Sequence, residues 1–161
     1  MKRLVASLAI ILCLGALWGC SSTNVKHLIR QPWTLDNDQT LTMKFWRFDY
    51  RIAPTSDQFC VRGTAFPLSD TIPAWANKVA DIWFAAYLSD ASGKVIAQDL
   101  RVFEPGPLDQ PSGIGFEFRL KPQDLPTKSD LFITFGYRMK LSGDTDKGEV
   151  FFASEGAMTR F

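Results

Sequence analysis

The chain has 161 residues, of which 46% are hydrophobic and 22% charged, with 18 Lys and Arg against 17 Asp and Glu, one His and three Cys. That much apolar material supports one folded domain with its own core and excludes a disordered polymer. The near-neutral balance gives no electrostatic reason to bind nucleic acid, and a single histidine with scattered cysteines excludes His-based triads and Cys/His zinc clusters.

The chain starts with two cations, Lys2 and Arg3, followed by an apolar run from Leu4 to Trp18 in which Ser7 is the only clearly polar residue, and then Gly19-Cys20-Ser21. About fifteen apolar residues fall short of the roughly 20 that a spanning helix requires. A charged start, a short apolar middle and a small residue before the break have the layout of a secretory signal. These residues resemble the bacterial lipoprotein signal. Leu17, Gly19 and Cys20 match its lipobox, while Trp18 stands where a small or β-branched residue is usual. The resemblance implies cleavage before Cys20, a diacylglycerol on its thiol and acylation of the new amine. Two or three acyl chains are enough for stable anchoring to a membrane. In lipoproteins of diderm bacteria an Asp after the cysteine favours retention at the inner membrane. Ser21 occupies that place, which implies the periplasmic side of the outer membrane.

Three parts are therefore expected: a signal peptide over residues 1–19, a lipidated cysteine with a tether over 20–39, and one domain over 40–161. Removing the signal takes away two basic side chains and no acid, so the remainder is close to neutral. The stretch "SSTNVKHLIRQPWTLDNDQ" has no sustained period and reads as tether running into a first loop. His27 lies within it. Asp36 and Asp38 read as turn chemistry, since Asp hydrogen-bonds its own backbone in turns.

From Leu41 the pattern becomes period two, the mark of half-buried strands. In "KFWRFDYRI", Trp46, Phe48, Tyr50 and Ile52 share one face and Arg47, Asp49 and Arg51 the other. In "DQFCVRGTAF", Phe59, Val61 and Ala65 oppose Gln58, Cys60, Arg62 and Thr64, which leaves Cys60 partly exposed. With Cys13 removed and Cys20 lipidated, Cys60 has no partner for an intrachain disulfide. "VADIWFAAYLSDASGKVIAQDLRVF" predicts a hairpin with strands over Val79–Leu88 and Lys94–Phe103 and a turn carrying Asp90 and Gly93. Apolar residues on both faces of its first strand predict a central position. "GFEFRLK" and "LFITFGYRMKL" alternate again, and "LSGDTDKGEVFF" predicts a second hairpin with Gly143 and Gly148 in its turn.

About seven strands with no long amphipathic helix predict an all-β fold, an antiparallel β-sandwich of the immunoglobulin or transthyretin type. A small closed β-barrel is the alternative. Trp46, Phe48, Phe118, Ile133 and Phe135 are the expected core.

Candidate sites are few. Asp144, Asp146 and Glu149 crowd one turn but lack the twelve-residue spacing of an EF-hand, so no metal is expected. "EPGPLDQPSGIG", with three prolines, predicts a loop outside the sheet. "TIPAW" places Ile72 and Trp75 on a Pro-stiffened segment between two strands, a candidate docking knob because Trp is enriched at interface hot spots. Folding back over one end of the sandwich is the other reading. No nucleophile has a suitable base, so no catalytic residue, cofactor or enzymatic activity is expected.

The leading expectation is a non-catalytic envelope lipoprotein whose β-domain binds or scaffolds another envelope protein. In size, anchor and strand count the chain resembles the small transthyretin-like outer-membrane lipoproteins of type VI secretion systems, which implies a place in a secretion or envelope assembly. A periplasmic carrier of an apolar ligand and a carboxylate-based hydrolase are the alternatives.

Overall fold

The computed structural model describes residues 22–108, 111–123, 130–144 and 148–160. The expected signal peptide and Cys20 lie outside the described residues. Twelve strands are described: β1 (Ser22–Asn24), β2 (Gln31–Pro32), β3 (Asp38–Thr42), β4 (Trp46–Pro54), β5 (Phe59–Pro67), β6 (Lys78–Asp90), β7 (Val95–Phe103), β8 (Gly106–Pro107), β9 (Ile114–Leu120), β10 (Leu131–Ser142), β11 (Val150–Glu155) and β12 (Met158–Arg160). No described helix is long and apolar enough to cross a membrane.

The protein is an all-β antiparallel sandwich. One sheet has the order β3-β4-β5-β9, and the other runs β11-β10-β6-β7 with β2 added to β10 and β8 to β6. Neither closes into a barrel. A separate ribbon pairs β1 with β12.

The alternation in the sequence explains the layers. Trp46, Phe48 and Ile52 from β4, Phe118 and Leu120 from β9, and Ile133, Phe135, Tyr137 and Met139 from β10 are wholly buried between the sheets. Phe135 of one sheet stacks on Phe48 of the other at 4.4 Å. Trp46 meets Phe84 edge-on at 4.8 Å, and its indole N–H donates to the Met139 sulfur at 3.2 Å, so the buried donor is not left unpaired. Aromatic rings thus fill the space between the sheets.

Along one side the sandwich is drawn together by side chains. The Arg119 backbone N–H of β9 donates to the Asp99 carboxylate of β7 at 2.8 Å, and Arg101 Nε of β7 donates to the Glu117 carbonyl at 3.3 Å. Polar groups at a sheet edge are thereby occupied, which opposes pairing with another chain.

Two expectations are corrected. Residues 22–39 are not a tether: β1, β2 and the start of β3 lie there, Val25 is wholly buried against Ala85 and Tyr87, and the Thr134 hydroxyl donates to the Ile29 carbonyl. His27 Nε2 donates to the Gly156 carbonyl at 3.0 Å, and the Arg30 guanidinium sits 4.9 Å over Phe132. The segment has no period because it is a strap in which Val25, Leu28 and Trp33 pack into the core at irregular spacing while Ile29 and Leu35 stay exposed. It is pinned at the β6–β7 turn, where Gly93 has φ +86° and a Cβ would lie 2.6 Å from Lys26 Cβ. Only glycine meets both demands there. The second correction concerns the proline-rich loop. Gly106 and Pro107 join β6 as β8, and Leu108 is buried, because an edge position asks no donor of proline.

Candidate functional site

The two sheets turn very different outer faces to their surroundings. On the four-stranded sheet the registers align Asp38, Arg51, Arg62 and Glu117 in one row across β3, β4, β5 and β9. The charges alternate in pairs. Arg51 bonds Asp38 at 2.9 Å, Arg62 reaches Glu117 at 2.7 Å, and Arg119 shares Glu117 at 3.2 Å. Hydrogen bonding to Arg62, with Arg119 adding, holds the Glu117 carboxyl below the usual carboxylate range. A shallow groove of about 490 Å³ opens at one end of this face, lined by Arg51, Gln58, Cys60, Arg62, Glu117 and Arg119 among others. Cys60 is half-buried there as a free thiol.

The outer face of the six-stranded sheet carries a band of apolar residues among a few charged ones. Part of it is covered by the strap and by the residue leading into β12, where Val25, Leu28 and Ala157 pack with Ala85 and Tyr87. The rest is bare. Register places Val102, Trp83, Arg138 and Ser154 in one row across β7, β6, β10 and β11, with Leu100 and Phe152 in the flanking rows. Val102 is 70% exposed, Phe152 58% and Leu100 47%. The Arg138 guanidinium lies 5.6 Å over the Phe152 ring. Met158 of β12 is also exposed at the margin.

Strand β7 explains how the band arises. Ala97 and Phe103 face inward as a core strand requires, but Asp99 and Arg101 lie on that same inner register and serve the β9 edge. Leu100 and Val102 consequently face out. The alternation is inverted relative to a normal strand, with charge toward the sandwich edge and apolar residues toward solvent. "DLRV" carries that signal in the sequence, but its polarity can be assigned only once β9 is known to lie beside it.

The expected docking knob turns inward. Ile72 is 4% exposed and belongs to the core, and Trp75 is half-buried against it. The Ile72 N–H bonds the Leu68 carbonyl, and the Asn77 N–H bonds Ser142. The segment from Leu68 to Asn77 therefore carries the chain from one sheet to the other and shuts that end of the sandwich, so Ile72 is not available to a partner. Asp144 pairs with Lys78 and accepts from Asn77 at 2.7 Å, and Asp146 lies outside the described residues. Among the described residues no three His, Cys, Asp or Glu side chains are grouped to hold a metal. Asp36 adopts φ 58°, a turn conformation that Asp tolerates.

No protein-family model matches the chain, and comparison with curated proteins and with solved structures gives no match.

Proposed function

We propose that the chain is a non-catalytic envelope lipoprotein, anchored through Cys20 on the periplasmic side of the outer membrane, whose sandwich holds another envelope protein at the membrane surface. The observation that supports this reading is that β1, the first described strand, begins at Ser22, two positions after Cys20. With β1 already paired to β12 there, a lipid on Cys20 ties the domain directly to the bilayer, and the domain works at the surface instead of reaching away from it. The arginine-lined groove on the opposite sheet is the concave surface left for the partner, and Arg is enriched among interface hot spots. A component of a secretion or envelope assembly is the class this describes. The carrier reading gains no support from an interior occupied by rings in mutual contact.

The test is metabolic labelling with a fatty acid. The wild-type chain should take up label and fractionate with the outer membrane, and Cys20→Ala should do neither. Label entering Cys20→Ala would defeat the reading. A photo-cross-linker at Gln58, at the groove, should then give a discrete adduct in intact cells, and no adduct would remove the groove as the partner site.

A further inference from the structure

The bare apolar band on the six-stranded sheet lies next to β1, the first described strand. Asn24 bridges Lys94 at the start of β7 and pairs with Met158 of β12, and Ser22 and Thr23 lie along Val95–Gln98. Leu100 and Val102 continue β7 beyond Gln98 in the direction from which the chain arrives. Acyl chains on Cys20 would extend from the Ser22 end of β1, which is the end nearer Leu100 and Val102.

The charges around the band point the same way. On the outer register positions of this sheet, Lys78, Arg138 and Lys140 stand against Asp81 alone, and Lys78 is already paired with Asp144. The strap from Ser22 to Pro32 adds Lys26 and Arg30 and no acid. Exposed apolar residues beside an excess of long basic side chains suit the boundary between acyl chains and phosphates, where such side chains bring their charge to the headgroups. The opposite sheet, with its cations matched to carboxylates, has no such character.

We propose that the outer face of the six-stranded sheet rests on the lipid surface that holds Cys20, with Leu100, Val102 and Met158 at the acyl boundary and Arg138 and Lys140 at the lipid phosphates. The domain is then held in a fixed orientation, and the groove of the four-stranded sheet faces the periplasm. This inference rests on the lipid-anchor reading.

Its test uses the mature lipidated protein with Cys60→Ser, reconstituted into vesicles of phosphatidylethanolamine and phosphatidylglycerol. A single environment-sensitive fluorophore is attached at Val102→Cys or, on the opposite outer face, at Thr64→Cys. Lipids carrying a nitroxide at shallow acyl depth should quench the probe at 102 severalfold more than the probe at 64. Equal quenching, with acylated Cys20 confirmed by intact mass, overturns the apposition while leaving the anchor standing. An intact mass without acyl groups overturns both.

Discussion

The two outer faces of this sandwich share one core and diverge in chemistry. On the four-stranded sheet Asp38, Arg51, Arg62 and Glu117 neutralise one another across four strands, whereas on the six-stranded sheet Leu100, Val102 and Phe152 lie in the open beside Arg138. Exposed single apolar residues are ordinary, but a band that spans strands marks a surface meant for contact. The chain itself covers part of that face with its own strap and the residue leading into β12. What it leaves uncovered adjoins β1.

The largest expected effect belongs to the core on which both faces depend. Phe135 meets Phe48, Tyr50, Phe116 and Phe118 across the two sheets. Phe135→Ala should cost about 3–5 kcal/mol and destabilise both faces together, as read by chemical denaturation. Loss confined to one sheet would show that the sandwich is not a single cooperative unit.

A smaller change should separate the faces. At Gly136 a Cβ would lie 2.9 Å from the Tyr87 ring and 3.0 Å from the Glu155 carbonyl. Gly136→Val should therefore cost about 1–3 kcal/mol through overpacking, and hydrogen exchange should speed up in β1 and β12 before it does in β4 and β5. Uniform acceleration would mean that the covering ribbon is not an independent layer.

How much of this was legible in the sequence follows from the range of the interactions involved. The alternation in "KFWRFDYRI" and "LFITFGYRMKL" reveals strands and core because burial repeats every second residue, and all five residues named for the core are wholly buried. The doubly apolar β6 is central because the strap and the residue leading into β12 cover part of its outer side. The strap reads as tether in the sequence, since Val25 and Leu28 answer to surfaces formed more than fifty residues away. Ile72 reads as a knob for the same reason. The apolar band has no plain sequence signal, because a polar Asp99 and Arg101 look outward until the β9 edge is placed beside them.

The salt-bridged face should respond to pH and the apolar band should not. Hydrogen bonding to Arg62, with Arg119 adding, lowers the pKa of Glu117. A folded value below the ordinary carboxylate pKa of about 4 gives stability that is fully present above that value and is lost as pH falls through the folded one. The melting midpoint should therefore be flat above about pH 5 and decline below about pH 4. Because this pair is exposed, Arg62→Ala should leave stability at neutral pH nearly unchanged and reduce the acid decline. An unchanged acid profile in that variant would show that the pair is idle.

The smallest effect on stability falls on the band. Leu100→Ser combined with Val102→Ser should stay within about 0.5 kcal/mol of the parent, since neither side chain is in the core. A larger loss would place them in the packing of the sandwich instead of on its contact surface.

Hydroxyl-radical footprinting of the protein in intact cell membranes, read against the same protein extracted into detergent and then freed of lipid, compares the two faces most directly. Leu100, Val102, Phe152 and Met158 should be protected in the membrane and become reactive after extraction, while Phe66 on the four-stranded sheet should change little. Equal reactivity of the band in both preparations would contradict the claim that this face is the molecule's contact surface.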